Sequence, residues 1–229
     1  MSNQVLVFDT ETSGLFPKNP EDTGFSNIEK YPHIVQLSFV VYNTERNKII
    51  IKYNTYIKPP ANSNIDFTSE AFKVNGITKE MCENGKSIVE ALSDFYLYYL
   101  SCDRIVAHNI DYDKKMIELE LIRYGNELIA HLGTKMTANP LLLFNNTFNN
   151  LSQIDTYCTM NKGKHLCNIM IHGKFGEFKK QPKLVELYQK LFKETPMDLH
   201  DSLVDCMVCL KCYMHMEHKV NLILDLKCQ

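Results

Sequence analysis

Apolar positions recur at two different spacings along this chain, and the switches between them mark out its elements. Val5 to Asp9 is a short apolar run that reads as a buried strand. His33–Tyr42 and Lys48–Lys58 are β-rich runs joined by Asn43-Thr44-Glu45-Arg46-Asn47, a hairpin signal. Ser87-Ile88-Val89-Glu90 is a capping box, and Ala91, Leu92, Phe95 and Tyr99 follow it at helical spacing. Arg104–Ala107 reads as a second buried strand, after which Tyr112, Met116, Leu119 and Ile122 mark an amphipathic helix. Leu184, Tyr188, Leu191 and Phe192 mark another. The last long helix runs to about His218, with Asp198 or Asp201 as its cap. Residues 134–152 are rich in Asn and Thr and read as a long surface connection, with a short helix around Pro140–Phe144.

Three β-runs followed by strands alternating with helices predict an α/β domain with a mixed sheet. No Gly/Ser linker divides the chain, and 229 residues at 45% hydrophobic content suit one domain spanning 1–229. No apolar run approaches a membrane span, and the N-terminus passes directly into a strand without a signal or transit segment. A cytoplasmic or nucleocytoplasmic, non-secreted protein is expected, with its eight cysteines as thiols.

A formal net charge of −2 argues against a protein that coats nucleic acid, though not against one that grips a few nucleotides. The charge is uneven. Residues 162–183 carry six lysines (Lys162, Lys164, Lys174, Lys179, Lys180, Lys183) against the single Glu177, either a solvated loop or a rim that steers phosphates.

Chemistry concentrates in three words: Phe8-Asp9-Thr10-Glu11-Thr12-Ser13-Gly14-Leu15, Ala107-His108-Asn109-Ile110-Asp111-Tyr112-Asp113, and His200-Asp201-Ser202-Leu203-Val204-Asp205. Each places an acid beside a strand end or a helix start. Strand periodicity puts Asp9 and Glu11 on one face. Asp113 falls in the first turn of its helix, where a carboxylate is favoured whatever else it does. Gathered together, Asp9, Glu11, Asp113 and Asp205 would repel one another unless divalent cations lay between them. An all-oxygen set selects two Mg²⁺ or Mn²⁺ over zinc, an arrangement suited to phosphoryl chemistry.

In this order, the three words resemble the DEDDh 3′→5′ exonucleases, a family that includes the epsilon proofreading subunit of the bacterial replicative polymerase. The likeness runs from about Val5 to about Met214, with smaller echoes at Asn75-Gly76-Ile77-Thr78 and Ile154-Asp155-Thr156. It implies a ribonuclease H-like fold, with a mixed five-stranded sheet flanked by helices. It also implies a metal-dependent exonuclease that releases 5′-mononucleotides from DNA 3′ ends, on single strands or frayed termini. Asp9, Glu11, Asp113 and Asp205 are then metal ligands, with Asp9 between both ions, and His200 is the general base. Thr10, Thr12, Ser13, Gly14, Leu15 and Asn109 then hold the terminal nucleotide, with Leu15 wedged beside its base and Gly14 permitting close backbone approach. Asp155 also matches a family position near the site, or simply pairs with a loop amide.

His200 suits proton abstraction near neutral pH. Residues five apart on a helix lie about 140° apart around its axis, so His200 is expected on the loop before the last helix rather than on it. A sister class has Tyr four residues before the last Asp; here that position is Asp201, which favours the histidine variety. Asp201 and Asp111 read as solvated turn or capping residues. Two readings stay open beside the DNA exonuclease: an exoribonuclease of the same superfamily, and a nucleic-acid- or polymerase-binding module without turnover. The sequence does not itself support a polymerase partner.

Two other clusters compete for a metal. Cys206, Cys209 and Cys212, with His215 and His218, step by three along a helix and drift about 60° each time, which spreads them apart. Cys158, His165, Cys167 and His172 match no finger spacing. Both read as packed or surface residues rather than as zinc sites.

Overall fold

The computed structural model describes residues 3–61, 63–174, 176–196 and 200–224. Five strands form the main sheet: β1 (Gln4–Thr12), β2 (Ile34–Asn43), β3 (Lys48–Tyr56), β4 (Arg104–Ala107) and β5 (Asp155–Cys158), in the order β3-β2-β1-β4-β5. β1 pairs antiparallel with β2 and parallel with β4, so the sheet is mixed. β6 (Met170–Gly173) and β7 (Gly176–Lys179) make a separate two-stranded ribbon. The helices are α1 (Glu70–Asn75), α2 (Lys79–Glu83), α3 (Ile88–Tyr99), α4 (Ile110–Leu132), α5 (Asn146–Leu151), α6 (Thr159–Cys167), α7 (Leu184–Phe192) and α8 (Ser202–His218). Among the described residues, no helix is long and apolar enough to cross a membrane.

β1 shows why the chain folds in layers. Its even positions Leu6 and Phe8 join the core under α3 and α4, while Val5 and Val7 join the core under α8. Alternate side chains of a strand face opposite sides, so one apolar run feeds both layers. β2 is buried along its whole length for the same reason, whereas edge strand β3 alternates between exposed and half-buried positions. The capping box before α3 is present, with Ser87 and Glu90 each accepting from the other's backbone N–H.

The Asn-rich connection departs from its expected surface course. Pro140–Leu142 is a short 3₁₀ turn, but the chain then drives Phe144 into the core against Phe8, Phe95 and Tyr99. Tyr99 Oη accepts the Phe144 N–H at 3.2 Å and donates to Asn149 Oδ1 at 2.8 Å. One aromatic side chain and one buried amide thus anchor a stretch whose composition looks like loop. At α8 the cap is Asp201, whose carboxylate accepts from Leu203 and Val204 N–H; Asp198 lies outside the described residues.

Candidate active site

Odd positions of β1 face α8, so Asp9 and Glu11 continue the side begun by Val5 and Val7. α8 is docked on that side by polar side chains of β2. Gln36 donates to Asp201 at 3.2 Å and accepts from Ser202 N–H at 3.3 Å, and the Ser38 and Ser202 hydroxyls meet at 2.6 Å. Cys206 Sγ adds a contact to Ser38 O at 3.4 Å. This docking sets the first turn of α8 so that Asp205 meets the strand end. Asp9, Glu11 and Asp205 each present a carboxylate oxygen within 4.8 Å of the others.

Asp113 comes from the opposite layer. It is buried at the start of α4, and its Oδ1 accepts from Thr10 N–H at 3.1 Å and Thr10 Oγ1 at 2.7 Å. Its own charge is felt by Asp9 and Glu11, but it stands outside the converging trio. Thr10, the even residue between Asp9 and Glu11, is therefore what fixes Asp113.

Electrostatics record the crowding. Burial, then the charges of Asp113, Asp205 and Glu11, hold Asp9 well above the usual carboxylate range. Burial followed by Asp205 and Asp113 pushes Glu11 to about 8, against a hydrogen bond from Asn75 that pulls it down. Asp113 and Asp205 are each raised to about 7, mainly by burial; Thr10 offsets the first and the His200 backbone N–H the second. Asp205 Oδ1 is buried with no hydrogen-bond partner. An all-oxygen cluster that resists ionisation and leaves a buried lone pair unmatched fits a hard divalent cation.

His200 immediately precedes the cap residue of α8, off the helix, at φ 79. Its side chain is exposed, and its N–H, not its imidazole, touches Asp205. Asn109 also adopts the left-handed conformation, φ 69, at the N-cap of α4, without capping through its side chain. Asn tolerates that region better than most residues.

After the strand, Ser13 and His33 clasp each other, Ser13 N–H to His33 O and His33 N–H to Ser13 Oγ, both at 2.9 Å. Thr12 Oγ1 donates to Gly14 O at 2.8 Å, and Tyr112 Oη donates to the same carbonyl at 3.0 Å. Gly14 has no left-handed φ, and a Cβ there would meet open space, so the fold itself does not require glycine. Leu15 is 74% exposed. It lines a cavity of about 560 Å³ with Thr10, Glu11, Tyr112, Val74 and Asn75.

Sequence reasoning passed over Asn75 as a partner of Glu11, and Tyr112 as a clasp on the turn. Both sit in quoted words, but only the tertiary fold shows what they touch. Asp155 is a correction. Its register with Arg104 puts it at the end of β5 opposite the acids, where it pairs with Arg104 at 3.0 Å and accepts from Thr156 N–H. Cys206, Cys209 and Cys212 are buried in separate surroundings, the first two under β1 and the third against α7.

The exonuclease family RNase_T matches residues 6–213, which carry all of these features. The chain belongs to this family, the DEDDh 3′→5′ exonucleases. It is 25% identical over 191 residues to the DNA polymerase III subunit epsilon of Rickettsia conorii, covering 81% of this chain and 72% of that one. It is 32% identical over 114 residues to the PolC-type DNA polymerase III of Thermotoga maritima, covering 50% of this chain but 7% of that one. E. coli Exonuclease I, solved in complex with a dT13 oligonucleotide, has a similar fold at 12% identity and a TM-score of 0.64. That match covers 96% of this chain and 41% of Exonuclease I. The mixed five-stranded sheet between helical layers is accordingly of the ribonuclease H-like kind.

Proposed function

We propose that residues 1–229 act as one exonuclease domain, in the cytoplasm or nucleocytoplasm, trimming DNA 3′ ends to release 5′-mononucleotides. The observation that carries this reading is the convergence of Asp9, Glu11 and Asp205 within 4.8 Å at the end of β1, inside a chain of this family. Asp9, Glu11, Asp205 and, from the Thr10 side, Asp113 would hold two Mg²⁺ or Mn²⁺. Bound there, such ions supply charge neutralisation at the phosphate and a more acidic water.

The chain's own residues do the rest. Thr12 and Tyr112 fix the Gly14 carbonyl, so the Ser13–Leu15 turn forms a rigid rest for the terminal nucleotide. Leu15, exposed beside the cavity under Tyr112, offers an apolar edge to a base. Open space at Gly14 leaves room for a sugar or phosphate against the backbone. His200 is the candidate general base, with its backbone tied to Asp205 and its side chain exposed at the start of α8. Single-stranded DNA or a frayed end is the substrate this favours. A replicative polymerase, named in the epsilon and PolC-type relatives, is the protein partner to test for.

Matched 3′-labelled DNA and RNA oligomers, digested with Mg²⁺, test the reading. Wild type should shorten the DNA from its 3′ end, and Asp9→Ala or Asp205→Ala should lose at least about a hundredfold in rate with circular dichroism unchanged. Faster digestion of the RNA would move the assignment to an exoribonuclease, and full activity in either variant would overturn the site.

A further inference from the structure

We propose that Thr159 is a positioning residue for the acids: through a hydrogen-bond chain from Cys209 to His108 it pins α8 over the sheet, and so sets where Asp205 stands against Asp9 and Glu11. The proposal rests on the reading of those acids as ligands of divalent cations, and deepens it with residues outside the acidic cluster.

The seat of α8 is largely apolar. Val5, Val7 and Val106 of the sheet share one core with Cys209, Leu210 and Tyr213 of the helix. Apolar burial is non-directional, so it holds the helix on the sheet without fixing how far it slides or rolls. Hydrogen bonds fix that. At the start of α8 they come from β2, where Ser38 meets Ser202 at 2.6 Å. Seven residues on, Cys209 Sγ lies 3.5 Å from Thr159 Oγ1. That is about 10 Å along the axis and within about 20° of Ser202 around it. Asp205 lies between these two pins, about one turn before Cys209.

Thr159 opens α6 directly after β5 and is fully buried. A hydroxyl shut away from water is costly unless it is bonded. Its Oγ1 lies 2.9 Å from His108 Nδ1 and 3.3 Å from Ala107 O. The other side of the ring gives the chain its sense. Pro182 O, 3.0 Å from His108 Nε2, can only accept, so Nε2 carries the proton of an imidazole that burial keeps neutral. Nδ1 is then the acceptor for the Thr159 hydroxyl, whose lone pairs are left for the Cys209 thiol. Burial keeps that thiol protonated. Each link therefore runs from donor to acceptor: Cys209 to Thr159, Thr159 to His108, His108 to Pro182.

This chain stands beside the acids. β4 runs parallel to β1 with Val106 opposite Val7, so His108 follows at the level of Asp9. The charge of Asp9 is felt at Cys209. Thr159 and His108 leave from paired strand ends, Cys158 opposite Ala107, which gives the pin a firm mount. Valine at 159 would fill the same space but lose the bond. Hard divalent cations such as Mg²⁺ demand near-ideal placement of their oxygens, so a small roll of α8 weakens the site before it weakens the fold.

Mn²⁺ titration followed by electron paramagnetic resonance, on the whole chain without substrate, tests the pin. Thr159→Val should weaken Mn²⁺ binding about tenfold, as loss of an outer partner of a metal ligand does. Thr159→Ser, which keeps the hydroxyl, should stay near wild type. Cys209→Ala should weaken binding as Thr159→Val does, and the double variant should be no weaker than either, because both changes break one link. Tyr96→Phe is the control for stability: it removes a hydroxyl that holds Thr137 and Ala138 in the opposite layer, and should leave Mn²⁺ binding unchanged. On dT20 the rate deficit of Thr159→Val should close at high Mn²⁺, with KM for the oligomer unchanged. Mn²⁺ binding by Thr159→Val at the wild-type level overturns the proposal. Equal weakening by Tyr96→Phe, or additive losses in the double variant, overturns it too. Should Thr159→Val fail to fold, Cys209→Ala against Tyr96→Phe decides. If wild type binds Mn²⁺ but leaves dT20 intact, the exonuclease reading fails, while the Mn²⁺ comparison still decides Thr159.

Discussion

Arg123→Met removes one buried charge from a cluster that also holds the His33 imidazole, whose Nδ1 lies 3.3 Å from the guanidinium and 3.5 Å from Glu120 Oε1. Arg123 is 8% exposed and Glu120 1% exposed, and they meet at 3.0 Å. The guanidinium also donates to the carbonyls of Ile28, Tyr31 and Pro32 at 2.7, 2.9 and 2.9 Å. Glu120 Oε1 accepts the Ile34 N–H at 3.1 Å, whereas its Oε2 is buried without a partner. Methionine keeps the apolar stem and removes every guanidinium donor, leaving the interior Glu120 carboxylate with the Ile34 N–H and the His33 ring 3.5 Å away. Breaking a buried pair in this way costs about 3–5 kcal/mol. That is a large share of the roughly 5–15 kcal/mol that holds a domain folded.

Urea unfolding at constant m measures the loss. Glu120→Gln added to Arg123→Met removes the remaining carboxylate charge and keeps an acceptor for Ile34, so the double variant should regain at least about 1 kcal/mol over the single one. The same strap, residues 28–33, ends in the clasp between His33 and Ser13. A loosened strap should therefore raise KM for an oligonucleotide more than it lowers kcat. A single variant within about 1 kcal/mol of wild type, or a double variant no better than the single, would refute the account of Glu120 as a charge dependent on Arg123.

Two further outcomes follow from the site and its neighbour. Millimolar Mg²⁺ or Mn²⁺ should raise the melting temperature of wild type at pH 8 in differential scanning fluorimetry, as any ligand of the native state does, and Asp205→Asn should lose most of that rise; equal shifts in both would place the ion elsewhere. His108 is pushed from 6.5 down to about 4 by burial, so the unfolded chain binds the extra proton between those values. Its contribution is complete above pH 6.5 and is lost as pH falls toward 4, at most roughly 3 kcal/mol. The raised acids of the site slope the opposite way, so the quantity to read is wild type minus His108→Gln; a difference flat from pH 4 to 6.5 would contradict this.

The sequence announced the elements whose cause is local. The strand run at Val5–Asp9, the Ser87 box before α3 and the acid in the first turn of α4 each depend on neighbours within a few residues. That Asp9 and Glu11 share one face was legible from strand periodicity alone; that this face meets α8 was not. What resisted reading was long-range. Nothing near Thr10 says that its hydroxyl will secure an aspartate 103 positions later. Nothing in the polar run around Phe144 says that its ring will fill the core beneath β1. Asp155 misled because a family position was carried over without the register that sets it at the far end of the sheet. The lysine-rich stretch was visible as composition, but its ribbon was not.

Cys206 and Cys209 lie sealed between α8 and β1, and Cys212 between α8 and α7. An alkylating reagent reaches the first two only when the helix lifts from the strand, and the same excursion takes Asp205 out of register with Asp9 and Glu11. Labelling at Cys206 and Cys209, read peptide by peptide, is therefore a stopwatch for the assembled state: whatever fastens Asp205 in place should slow it, and whatever frees the helix should set it running.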